Sequence, residues 1–278
     1  MLEQLDKVVA DIDNEQLTRD EAIHHVRKRC KRIRAVLRLV HPVFGGDYEF
    51  ENVFFRNAAD RLAGLRDVKV LLETFDKVIR TRDGFSCKSF AAARERLIQH
   101  RRETALGTEG KKKRLSEVRK KFCKAHGRII GWKLDTEGFG AIEEGLRETY
   151  ARGRKGMRLA YRQSSAVNFH NWRKHVSHYR HHVRLLRKLR PSVFKQLLRR
   201  LERLCDLLGE DHDLALLRAA LIHKAAGSGT KRQLRPLLDL IEKKSAKLRA
   251  KSRTIGKRIY AEKPKQLARR FRKHRAIL

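Results

Sequence analysis

The sequence predicts an all-α fold made of two similar helical halves. Three observations point there. Apolar residues recur at helical spacing along most of the chain, with only 4 prolines in 278 residues. A pattern in the first half returns in the second. Two long segments carry cations on one helical face and apolar residues on the other.

The spacing predicts helices over 18–41, 48–82, 88–105, 111–133, 139–163, 166–190, 192–208, 211–226, 231–248 and 264–276. Pro42 and Pro191 each close a long basic helix, because proline lacks the amide proton and clashes with the preceding turn. Gly45-Gly46, Asp83-Gly84 and Gly227-Ser-Gly229 mark loops. The opening MLEQLDKVVADIDNEQL is acidic and amphipathic, unlike a secretory signal. Gly110-Lys-Lys-Lys-Arg114 has the composition of a localisation signal but reads better as a solvated helix start.

The repeat appears when the chain is shifted by 146 residues. His24, Arg27 and Lys28 fall on His170, Arg173 and Lys174, and Arg34 and Arg38 on Arg180 and Arg184. Asp60, Leu62, Asp67 and Leu71 fall on Asp206, Leu208, Asp213 and Leu217, with no gap in the register. An internal duplication accounts for this. Two such halves tend to pack about a pseudo-two-fold axis with a shared surface.

Charge narrows the function. The chain carries 68 Lys+Arg against 32 Asp+Glu, a formal net charge of +36, so its field attracts polyanions: nucleic acid, anionic membrane, acidic protein or polyphosphate. Hydrophobic residues make up 41%, enough for a core. No apolar run approaches membrane-spanning length. Cys30, Cys87, Cys123 and Cys205 lie far apart without metal-binding spacing. These features predict a soluble, cytoplasmic protein with reduced thiols and no membrane association.

His24, Arg27, Lys31, Arg34, Arg38 and His41 share one helical face, with Lys28 beside it, while Val26, Cys30, Ile33, Leu37 and Val40 share the opposite one. In the second half the cationic rail is His170, Arg173, Ser177, Arg180, Arg184 and Arg187, with Lys174 beside it. Its apolar stripe is Trp172, Val176, Tyr179, Val183 and Leu186. Like charges at these spacings oppose a helix, and a merely solvated helix interleaves both signs. Neither rail contains a carboxylate, so the rails are read as ligand-binding. Asp60, Asp67, Asp206 and Asp213 are expected to hold rail arginines by structural salt bridges, leaving a surplus of cations.

These residues resemble the CHAD family, the conserved histidine α-helical domain. Its His-x-x-Arg helix is similar to His24-His-Val-Arg27 and His170-Asn-Trp-Arg173. Its Leu-Gly-x-x-Arg-Asp pattern resembles Ala63-Gly64-Leu65-Arg66-Asp67 and Leu208-Gly209-Glu210-Asp211-His212-Asp213, with His in place of Arg in the second copy. A third pattern resembles Gly145-Leu-Arg-Glu-Thr-Tyr150-Ala-Arg-Gly-Arg154 between the halves. The resemblance covers nearly the whole chain and implies a single domain over 1–278 with halves of about 1–140 and 141–278. It also implies two bundles about a pseudo-two-fold axis and a basic central channel that binds inorganic polyphosphate. The channel would be lined by both rails, Arg66 and His212. Ser177 in place of a lysine, and His212, predict unequal grip by the two walls.

Three other readings compete. A single-stranded nucleic-acid binder, RNA above all, needs exposed aromatics for base stacking, yet Trp172, Tyr179, Phe55 and Phe75 fall on apolar faces; weak non-specific binding is still expected of so basic a chain. An enzyme needs a nucleophile and usually a carboxylate-held metal; Gly107-x-x-Gly110-Lys111 has the wrong spacing for a phosphate loop, and Glu49-Phe-Glu51 lacks the lysine of a triphosphate tunnel enzyme. His175, His178, His181 and His182 cluster on one helix but lack a nearby Cys or carboxylate to complete a metal set. The sequence therefore predicts no catalysis, no cofactor and no metal, and a cytoplasmic protein associated with polyphosphate granules.

Overall fold

A computed structural model describes the chain except residues 45–47, 63–66, 81–89, 105–106, 133–135, 137, 190, 225–227 and 274–278. At 67–69, 100–104, 188–189, 224, 228–231 and 273 only the backbone is described. The fold is all-α, with no strand among the described residues. Helices run in the order α1 Leu2–Asp13, α2 Arg19–Val40, α3 Tyr48–Asp60, α4 Asp67–Ile79, α5 Ala91–Thr104, α6 Thr108–Ile129, α7 Gly140–Arg162, α8 Ala166–Leu189, α9 Pro191–Lys224, α10 Ser228–Ile259 and α11 Pro264–Lys273.

Local chemistry sets the key ends. Thr18 and Glu21 form a capping box that starts α2: the Thr18 hydroxyl accepts from the Glu21 amide, and the Thr18 amide donates to the Glu21 carboxylate at 2.9 Å. The helix stops where Pro42 tightens the chain into a 3-10 turn over His41–Val43. Pro191 opens α9 at the first helical position, where its missing amide proton costs nothing.

The amphipathic faces fill separate cores. Val26, Cys30, Ile33 and Leu37 of α2 are buried with residues of α1, α3 and α6. Trp172, Val176, Tyr179, Val183 and Leu186 of α8 are buried with α7, α9, α10 and α11. A third cluster joins α4 and α5 to the end of α9 and the first half of α10. Leu39, on the first-half helix α2, belongs to the second core, so α2 reaches across to α7 and α8. Gly145 permits this crossing, because a Cβ there would stand 2.0 Å from the Leu39 carbonyl oxygen.

Several boundaries differ from expectation. The expected helix over 48–82 is α3 and α4, with 63–66 between them outside the described residues. The expected pair 192–208 and 211–226 is one helix, α9, which continues through Gly209. A glycine costs a helix only about 1 kcal/mol relative to alanine. Burial of Leu204, Leu207, Leu208, Leu214 and Leu217 on both sides outweighs that. The helix expected over 231–248 extends to Ile259, and the acidic opening segment is itself a helix, α1, burying Leu5, Val8 and Ile12.

Candidate functional site

The rails occupy the α2–α3 and α8–α9 grooves. On the first, Arg27 Nη1 donates to the Ala59 carbonyl at 3.0 Å and Arg34 Nε donates to Asn52 Oδ1 at 3.0 Å. Arg38 Nη1 donates to the Arg34 carbonyl at 3.0 Å. Lys28 and Lys31 are exposed and His24 is half-buried. On the second rail, His170 Nδ1 lies 3.2 Å from His212 Nδ1, and Arg184 Nη2 donates to Glu202 Oε1 at 2.5 Å. Lys174 is exposed. The Nε atoms of Arg173 and Arg180 are buried with no hydrogen-bond partner among the described residues. Arg66 lies outside the described residues.

These cations are poorly neutralised. Burial, and then Arg34 beside it, holds Arg38 down to about 10. Burial followed by the charge of Arg56 lowers Arg34, against which Asp60 works. Burial lowers Arg173, with Asp213 opposing. Partial burial of charge is unfavourable, so an anion within reach would stabilise each of these groups.

The expected roles of Asp60 and Asp206 come out differently. Asp60 and Asp206 are exposed and form no ion pair among the described residues, although Asp60 supports Arg34 electrostatically. Glu202, rather than Asp206, pairs with a rail arginine. The reason is reach: the glutamate, one helical turn earlier on α9, meets Arg184 directly. Asp67 opens α4, but its side chain is not described.

Three groups escape a reading of the rails alone. Arg32 sits off the first rail, yet the charges of Arg184 and Arg180 on the other half help to depress it, after burial and Arg29. His178, which the repeat places on Arg32, is lowered by burial and then by Arg38, with Arg34 also contributing. Arg152 of α7 joins the same neighbourhood, beside Arg38 and His175. Helical spacing gives no signal for Arg32, because its neighbours Arg180 and Arg184 come from another helix, α8, which packs against α2.

His178, His181 and His182 of α8 face α2. His182 Nε2 lies 2.7 Å from the Ala35 carbonyl, so that nitrogen carries the proton, and its Nδ1 is buried without a partner among the described residues. Among the described residues no group of three or more His, Cys, Asp or Glu converges to hold a metal ion. Glu51, from the Glu-x-Glu pair, is buried and held by Arg128 at 2.9 and 3.1 Å.

Burial holds His182 at about 4, His181 at about 3, and His170 and His212 at about 4, with neighbouring cations adding to the effect. The unfolded chain takes up these protons near pH 6.5, while the folded chain refuses them until far lower. Their contribution to stability is therefore complete above about pH 6.5 and lost as pH falls toward 4. Melting temperature should decline through that window in phosphate-free buffer; an unchanged value from pH 7 to pH 5 would contradict neutral burial.

Residues 1–222 match the CHAD domain. The chain belongs to the CHAD domain family. No curated protein matches it. Among the described residues no helix is long and apolar enough to cross a membrane.

Proposed function

We propose that this protein binds inorganic polyphosphate along the two cationic helices and does not turn it over. The observation that carries the proposal is the set of half-buried, under-neutralised arginines: Arg34, Arg38, Arg173 and Arg180. Phosphate oxygens accept charge-assisted hydrogen bonds from such guanidinium groups, and a linear polyphosphate repeats that anion without bases or sugars. The reciprocal neighbourhoods favour a shared basic channel: Arg32 beside Arg180 and Arg184, His178 beside Arg34 and Arg38. Membership of the CHAD domain family supports the same ligand.

Aromatic placement weighs against single-stranded RNA. Trp172, Tyr179, Phe55 and Phe75 are buried, and Phe50 is the one large aromatic side chain prominently exposed among the described residues. The chain offers charge for phosphates and little for stacking bases. We read residues 1–278 as one unit of two halves, since α10 and α11, beyond the family match, complete the second core. A cytoplasmic location at polyphosphate granules fits this role.

Calorimetric titration with long-chain polyphosphate near 0.15 M salt tests the proposal, because loose surface attraction is largely screened there. Saturable binding is expected, with affinity falling steeply as salt rises. Polyphosphate, tripolyphosphate and ATP should be recovered intact after incubation with magnesium or manganese. Absence of binding, or sustained turnover abolished by changing one rail residue, would overturn this function.

A further inference from the structure

The two halves depart from symmetry where a ligand would lie. The repeat places Arg56 of α3 on Glu202 of α9, a charge reversal at equivalent positions. Arg56 is exposed, forms no ion pair among the described residues, and opposes the charge of Arg34. Glu202 instead accepts from Arg184 at 2.5 Å. Arg38, the equivalent of Arg184, has no such carboxylate and donates only to the carbonyl of Arg34 among the described residues.

The local charges follow. Around the first wall stand Arg34, Arg38 and Arg56 against Asp60, with Arg152 already tied to Glu148 at 2.9 Å. Around the second stand Arg180, Arg184 and, reaching across from α2, Arg32 against Glu202 and Asp206. The first wall keeps the larger surplus. The partners of the Arg184–Glu202 pair are 39% and 40% exposed, so the pair is open to solvent and to exchange with another anion.

Resting on the polyphosphate reading, we infer that Arg56 and Glu202 together make the site selective for chain length. Short oligophosphates bind the first wall alone, where Arg34, Arg38 and Arg56 stand free of a competing glutamate. Longer chains extend onto the second wall by replacing Glu202 at Arg184. Glu202 thus acts as an internal substitute for one phosphate, occupying its arginine until a chain long enough to span both walls arrives.

Titrating wild type, Arg56→Gln and Glu202→Gln with tripolyphosphate and with long-chain polyphosphate near 0.15 M salt tests this inference. Both substitutions are at solvent-accessible helical positions and keep helix propensity, and thermal melts check that each variant folds. Glu202→Gln should tighten long-chain binding roughly two- to fivefold, the equilibrium worth of an exposed ion pair, and leave tripolyphosphate unchanged. Arg56→Gln should weaken both ligands by roughly fivefold, the counterion contribution of one phosphate contact at that salt. If wild type binds neither ligand, the polyphosphate reading fails and this inference with it. If wild type binds but Glu202→Gln alters both ligands equally or neither, or Arg56→Gln spares tripolyphosphate, the inference alone fails.

Discussion

Gly145→Ala should destabilise the protein by roughly 3 kcal/mol or more, since overpacking against rigid structure reaches and sometimes exceeds that. The added Cβ would stand 2.0 Å from the Leu39 carbonyl oxygen and 2.7 Å from that of Arg38. Both obstacles are backbone at the last turns of α2, so no side chain can swing aside. The two helices must separate where Leu39 enters the second core and where Arg38 takes its place on the first rail. The melting temperature should fall by about 6–12 °C for a chain of this size class. Gly209→Ala is the matched control. A Cβ there meets nothing within 4 Å, and the residue lies inside α9, so alanine should stabilise by about 0.5–1 kcal/mol. Gly145→Ala melting with wild type would show that the α2–α7 crossing is looser than described.

The second large effect is a separation of binding from stability. Arg34→Gln with Arg180→Gln should leave the empty protein as stable as wild type or more so, while weakening polyphosphate on the order of tenfold or more through two lost phosphate contacts. Arg34 gives up one hydrogen bond to Asn52 and the support of Asp60, but also burial of a charge and the repulsion of Arg56. Arg180 gives up a buried Nε that has no partner among the described residues. Gln retains length and helix propensity at both positions. The salt dependence of binding should become shallower by about one to two ions. Added polyphosphate should raise the wild-type melting temperature further than that of the variant, because a ligand that prefers the folded state stabilises it by mass action. A variant much less stable when empty, yet binding as well as wild type, would make these arginines structural.

How much of this was readable in the sequence depends on whether the relevant contact is local. The buried stripes from Val26 to Leu37 and from Trp172 to Leu186 follow from spacing along one helix, and so do the rails opposite them. Arg32 was not visible as a site residue, because its neighbours Arg180 and Arg184 come from a helix crossing it at long range. Gly145 stood out within a family pattern, but its reason is a carbonyl of another helix. The pairing of Glu202 with Arg184 follows from the packing of α8 on α9, which spacing along either helix does not reveal. The histidines of α8 stood out in the sequence only as a cluster without a further metal ligand. Their burial holds them neutral, a consequence of packing that the helical spacing does not encode.

The most direct test of the central claim is a competition for this protein between long-chain polyphosphate and single-stranded RNA of equal total charge near 0.15 M salt, read by calorimetric displacement. Half-buried arginines without exposed stacking partners predict that polyphosphate displaces RNA, and that RNA at equal charge fails to displace polyphosphate. RNA binding as tightly or more tightly would contradict the account and make the rails a nucleic-acid surface.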